Sequence, residues 1–165
     1  MTIPHPDISP SVRIEHYHRP DHRAEAAAMS VMESAFDPAF GEAWNASQLA
    51  GFMSMPGVTL SIASLDHAWL GFALSRAIMN EAELLLLATH RNWQHRGIGN
   101  LLLDDFMSSA RKSRIETLHL EVRVNNPAVD FYSSNGFECV HRRPSYYKGR
   151  NGDLFDALSF RKILS

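Results

Sequence analysis

The sequence predicts a mixed α/β domain, and three observations carry that reading. Short stretches of alternating apolar and polar residues recur along the chain, a nearly unbroken apolar run covers residues 83–89, and Ile98, Leu101, Leu102, Phe106 and Ala110 repeat at helical spacing. A strand that is apolar on both of its alternating sets is expected at the centre of a sheet covered on both faces. At 165 residues the chain suits one domain with a single substantial core. That domain is expected over residues 12–165, behind a loose arm at residues 1–11, with no repeat or linker inside it.

The arm is assigned because its three prolines come without periodicity. Val12, Ile14 and His16 then alternate with Arg13, Glu15 and Tyr17 as a first strand. His16 and His18 share a face of it, but two histidines without a third ligand make a poor metal site, so no metal is expected. Asp21 caps a helix over residues 22–34, where three consecutive alanines supply propensity and Met29, Met32 and Phe36 an apolar face, and Pro38 ends it. After Phe40 and Trp44, Asn45 caps a second helix carrying Leu49, Phe52 and Met53.

Pro56-Gly57 marks a turn, and residues 58–63 and 69–78 form a hairpin that bends at Asp66-His67. Asn80-Glu81 turns the chain into the central strand. The helix that follows ends in Arg111, Lys112 and Arg114, where cations complement its dipole. Residues 117–122 make the next strand. A short helix over residues 127–133 starts on a proline and ends at Asn135-Gly136. Residues 137–143 and 154–162 alternate as two last strands around a loop holding Tyr146, Tyr147, Lys148 and Arg150.

Composition narrows the function. A net charge of −2 argues against a general nucleic-acid binder. The single cysteine, Cys139, excludes an internal disulfide, and its alternating surroundings suggest a buried small hydrophobe in a reducing compartment. No apolar run approaches the ~18 residues of a membrane span, and no signal-peptide hydrophobic segment opens the chain, so a cytoplasmic protein is expected.

The chemistry centres on Gln94-His95-Arg96-Gly97-Ile98-Gly99-Asn100, between the central strand and its helix. A strand, a glycine-rich bend and a helix N-terminus in that order make an anion site, because the first helical N–H groups have no partner within the helix. Gly97 and Gly99 let a ligand approach the backbone, and Arg91 and Arg96 add positive charge. There is no Gly-Lys-Ser/Thr of a P-loop, nor the third glycine and acidic partner of a dinucleotide loop.

The Gln94-x-x-Gly97-x-Gly99 pattern resembles the acetyl-CoA pyrophosphate loop of the GNAT N-acetyltransferases. A second block, His119-Leu120-Glu121-Val122-Arg123, Asn125-x-x-Ala128-Val129-x-Phe131-Tyr132 and Asn135-Gly136-Phe137, resembles the C-terminal half of that family in the same order. The likeness runs over residues 81–160 and is greatest to the RimI type, which acetylates the N-terminal alanine of a ribosomal protein. It implies the GNAT fold, a mixed, mostly antiparallel central sheet splayed where the cofactor wedges in, with helices on its flanks.

The same resemblance implies acetyl-CoA as co-substrate, held by His95, Arg96, Gly97, Ile98, Gly99 and Asn100. Backbone groups of Leu87, Ala88 and Thr89 would meet its pantetheine arm and acetyl carbonyl, and Asn125 the pantetheine. Glu121 would be the base and Tyr132 the acid that protonates the leaving thiolate, while Trp44 falls beside the acceptor groove. Between Glu121 and Asn125 the chain is one residue shorter than the usual RimI-type spacing. The expected acceptor is a protein N-terminus, possibly ribosomal, with a small-molecule amine or a non-catalytic acyl-CoA sensor as alternatives. An α-amine has a pKa of about 8 and a lysine about 10.4, so neutralising lysine costs about 3 kcal/mol more, and a single carboxylate base suits the α-amine.

Overall fold

Period-two patterning sorts the strand side chains to the two faces of one sheet, and each face is covered by its own helices. The structure, a computed structural model, describes residues 6–164. Seven strands, β1 (Arg13–Tyr17), β2 (Val58–Leu65), β3 (Ala68–Ile78), β4 (Glu81–Thr89), β5 (Thr117–Arg123), β6 (Glu138–Lys148) and β7 (Leu154–Ile163), lie in the order β1-β2-β3-β4-β5-β7-β6. Every neighbouring pair is antiparallel except β4 and β5, whose parallel crossover is made by α3 (Ile98–Lys112). Leu102, Leu103 and Phe106 of α3 cover Leu84, Leu118, Leu120 and Val122 on one face. On the other, α1 (His22–Ala35) and α2 (Ala46–Met53) bring Val31, Met32, Leu49 and Met53 onto Leu60, Phe72 and Leu74.

Both of these helices start on caps legible in the sequence. The Asp21 carboxylate accepts from the Ala24 N–H at 2.9 Å, and Asn45 with Gln48 forms a reciprocal capping box. No helix among the described residues is long and apolar enough to cross a membrane.

One irregularity positions everything that follows. Leu74 of β3 pairs with Leu86 and Ser75 with Leu84, so Leu85 has no counterpart and β4 bulges there. Pairing between β4 and β5 covers Glu81 to Leu84 against Thr117 to Leu120 and stops. Past that point β4 stays bonded to β3 and β5 to β7, which leaves two facing strand edges open.

Several expectations need correction. β6 runs on to Lys148, so Tyr146 and Tyr147 are strand residues, and Pro144 is accommodated because β6 is an edge strand whose register shifts between Arg143 and Tyr147. Cys139 is exposed, not buried: from Glu138 to Tyr146 this edge strand is exposed at every residue, so alternation there reports no core. β4 is covered on both faces only in its second half, since Glu81 and Glu83 are exposed. Of the expected arm, Ser9–Ser11 form a 3-10 turn and Ile8 packs on the core, while residues 1–5 lie outside the described residues.

The segment between α1 and α2 is clamped onto the β6–β7 turn. The Arg150 N–H donates to Pro38 at 3.1 Å, Phe40 packs edge-on against Phe155, and a Cβ on Gly41 would collide with the Lys148 carbonyl oxygen. Gly41→Ala should therefore destabilise the fold more than Gly152→Ala. Both glycines have positive φ and carry the same strain of about 1–2 kcal/mol, but a Cβ on Gly152 meets nothing within 4 Å. Denaturant midpoints of the two variants make the comparison, and equal losses would mean that the clamp gives way freely.

Candidate active site

The opened edges of β4 and β5 become the walls of two cavities that meet end to end. One, of about 360 Å³, is lined by Leu87, Ala88 and Thr89 of β4, by Gln94, His95, Gly97, Ile98, Gly99 and Asn100, and by Phe131 and Tyr132 of α4 (Ala128–Ser134). The other, of about 330 Å³, lies between β4, β5 and the α1–α2 segment. Leu87, Ala128 and Tyr132 line both.

The first cavity has the start of α3 in its wall. Gly97 is the N-cap of α3 at φ +82, a left-handed conformation that turns the chain sharply into the helix and leaves the first N–H groups of the helix without intrahelical partners. A Cβ on Gly99 would sit 3.7 Å from Phe131 and 3.9 Å from Thr89, inside the cavity. The loop is braced from outside: the Arg91 N–H donates to Ser34 Oγ, and Gln94 Nε2 donates to the Thr89 carbonyl. His95 holds φ +62, a strained value for a side-chain-bearing residue.

Most of the residues expected to hold the cofactor line this cavity, but two of them do not. Arg96 stacks on Trp93, its guanidinium 5.0 Å from the ring centre. Asn125 sits in a left-handed turn at φ +66, and its neighbour Asn126 reaches the second cavity instead. Of the histidines weighed for metal, His16 lies 2.8 Å from Asp105 and His18 3.1 Å from Thr59. Among the described residues no group of three His, Cys, Asp or Glu side chains gathers as metal ligands.

The second cavity carries carboxylates and phenols. Glu121 is held by Ser159, whose hydroxyl lies 2.9 and 2.8 Å from its two oxygens, and by Arg143 at 3.3 Å. Glu83 reaches the cavity from β4. Tyr132 is buried at the junction, and that burial, with the charge of Glu42 second, pushes its phenol above the ordinary value. Tyr147, whose hydroxyl donates to the Glu121 carbonyl at 3.4 Å, is raised for the same two leading reasons. Trp44 lines this cavity while packing on Phe52, with ring centres 4.6 Å apart.

Sequence reasoning missed the ion pair beneath it. Arg123 Nε donates to Glu42 Oε1 at 3.2 Å, the side chains only 9% and 12% exposed, and Asn126 Nδ2 donates to Glu42 Oε2 at 2.8 Å. Arg123 also lies 3.7 Å from the ring centre of Phe40. The pair joins the end of β5 to the α1–α2 segment, and thus one wall of the cavity to the other. Strand alternation gives no hint of it, because Arg123 falls with the half-buried Thr117, His119 and Glu121 and not with the buried Leu118, Leu120 and Val122.

A parallel pair parted by a bulge, with a glycine-rich helix start beside the gap, is the arrangement of an acyl-CoA-dependent transferase. The Acetyltransferase (GNAT) domain family matches residues 19–150, and the chain belongs to it. Its relatives include the ribosomal protein bS18-alanine N-acetyltransferases of Salmonella typhimurium, 33% identical over 88 residues, and of Haemophilus influenzae, 35% over 89 residues. These matches span 53% and 54% of this chain and 60% and 61% of the relatives. The crystal structure of the Escherichia coli ribosomal-protein-S18-alanine N-acetyltransferase superposes with a TM-score of 0.81 at 25% identity, covering 93% of this chain and 94% of that one.

Arg123→Met should cost about 3 kcal/mol or more, because it leaves the Glu42 carboxylate buried without its cation. Adding Glu42→Gln should recover part of that loss. Denaturant unfolding of the single and double variants tests the pair, and a single variant within 0.5 kcal/mol of the parent, roughly the scatter of neutral surface changes, would contradict it.

Proposed function

We propose that the protein transfers the acetyl group of acetyl-CoA to the α-amine of a protein N-terminus, with a ribosomal protein beginning in alanine as the acceptor most in keeping with its relatives. The observation that carries this reading is the junction of the two cavities at Tyr132, with an anion cradle on one side and a carboxylate-lined groove on the other. The co-substrate supplies a thioester, whose carbonyl is activated toward an amine and whose thiolate is a good leaving group.

The residues present fit acetyl-CoA. The amides at the start of α3 suit the diphosphate. The β4 edge at Leu87, Ala88 and Thr89, which no longer pairs with β5, suits an extended, amide-bearing arm lying where a missing strand would. Phe131 and Ala128 give the arm an apolar wall. Asn125 and Arg96, the latter stacked on Trp93, stand outside this lining.

On the acceptor side an ammonium group enters a groove floored by Glu121, the base implied by the family resemblance. Tyr132 keeps its proton, because desolvation penalises its anion. The same desolvation penalises a thiolate held beside it, so donor and acceptor stay matched and the hydroxyl can protonate the departing sulfur. The sensor reading would leave both groups idle.

Two measurements test this. Peptides with a free N-terminal alanine should be acetylated faster than the same peptides blocked at the N-terminus but carrying a free lysine, and activity confined to small amines would sink the protein-acceptor assignment. Tyr132→Phe should lower turnover by roughly 10²-fold, the low end for general acid catalysis, while leaving acetyl-CoA affinity unchanged. Because the phenol is raised, its protonated form persists through the ordinary tyrosine range near about pH 10. Turnover should then show no alkaline limb below that pH, and a limb there that vanishes in Tyr132→Phe would contradict the raised phenol.

A further inference from the structure

Two side chains near the C-terminal end of α1 reach the backbone of both cavity walls. Met32 is 1% exposed, and its Sδ accepts the Trp44 N–H at 3.1 Å. The Ser34 hydroxyl donates to the Val31 carbonyl at 3.0 Å, which fixes its orientation and presents its oxygen to the Arg91 N–H at 3.1 Å. Trp44 lines the second cavity, and Arg91 opens the 3-10 turn that leads into the glycine-rich bend of the first.

The helix itself requires neither bond. A thioether is a weak acceptor with no proton to give, and in a core it usually serves as filler. Here it is the partner of a main-chain N–H 12 residues further on. A serine inside a helix commonly turns its hydroxyl back on the helix, and Ser34 does so while taking a partner 57 residues away. Trp44 stands between the 3-10 turn at Pro38–Phe40 and the start of α2, and Arg91 between β4 and α3. Neither backbone is placed by an α-helix or a strand of its own, so a brace from α1 has something to fix.

We propose that Met32 and Ser34 are positioning residues, Met32 for the acceptor and Ser34 for acetyl-CoA, with α1 as their common support. The inference rests on the acetyltransferase reading above for the identity of the two substrates. α1 is a firm support, because Ala27, Ala28 and Val31 are buried in the core it shares with the sheet. Met32 sets the Trp44 backbone, and with it the ring that packs on Phe52 at the acceptor wall. Ser34 sets the entry to the bend that ends at the N-cap of α3. No bond or proton changes at either residue.

The test separates the two substrates. Met32→Leu conserves volume and removes the accepting atom, and Ser34→Ala removes the hydroxyl. With an Ala-initiated peptide, Met32→Leu should raise the peptide KM about fivefold, the factor that one net hydrogen bond corresponds to. It should leave kcat and the acetyl-CoA Kd unchanged. Ser34→Ala should raise the calorimetric acetyl-CoA Kd about fivefold on the same basis and leave the peptide KM unchanged. Ser34→Thr, whose hydroxyl can still turn back on the helix, should restore the parent Kd. Residues that only stabilise the fold would lower the melting temperature with these constants unmoved, or shift both constants together, and either result overturns the proposal. Amide exchange needs no variant: the Trp44 and Arg91 amides should be protected in the parent protein, and free exchange at either overturns the proposal. A parent protein that acetylates no amine would sink the acetyltransferase reading instead. The acetyl-CoA Kd would then still decide, since a value raised in Ser34→Ala and not in Met32→Leu supports the braces and any other pattern overturns them.

Discussion

The parting of β4 from β5 after Leu84 and Leu120 is the constraint on which the rest of the molecule depends. Hydrogen-bonded strands normally stay paired, because buried backbone groups without partners are costly. Here the unpaired Leu85 bends β4, and the open edges face a cleft where a ligand can take up their hydrogen bonds. The bulge also swaps the alternation. Glu83 faces the second cavity before it, and Leu86 and Ala88 face the α1–α2 core after it. One inserted residue thus opens the first cavity and turns the acidic half of β4 toward the second.

A gap in a sheet must be held open from outside. α3 holds it on one face, with Leu102, Leu103 and Phe106 under both strands. On the other face the Arg123–Glu42 pair, Phe40 against Phe155, and the close seat of Gly41 on Lys148 fix the α1–α2 segment across the mouth. A buried ion pair is weak evidence of net stability, but losing one partner is costly, which makes such a pair a strong register device. Its charge also reaches the chemistry, since Glu42 is the second cause of the raised Tyr132 phenol.

What was legible in the sequence was local. The loop from His95 to Asn100, the caps at Asp21 and Asn45 and the amphipathic face of α3 are written within a few consecutive residues, and the structure has each in its expected element. Pieces joined over long separations were not legible. Glu42 and Arg123 stand 81 residues apart, and no pattern near either points to the other. Glu83 read as one polar interruption of an apolar strand, because its exposure depends on the gap and not on its neighbours in sequence. Cys139 shows the reverse failure: its alternation is real, but the stretch of edge strand around it is exposed on both faces and has no inside.

A larger cavity, of about 740 Å³, lies at the far edge of the sheet beneath α1, lined by Arg13, Glu15, Asp66, His67 and Trp69. It has neither an opened strand edge nor a glycine-rich helix start, so volume and chemistry point to different places. Titrating ¹⁵N-labelled protein with acetyl-CoA decides between them. Amide shifts should concentrate at Leu87, Ala88 and Thr89 and at Gly97 through Asn100, with Arg13 and Trp69 unmoved. Shifts confined to the far cavity, or absent from the opened edge of β4, would contradict the splayed sheet as the seat of the cofactor.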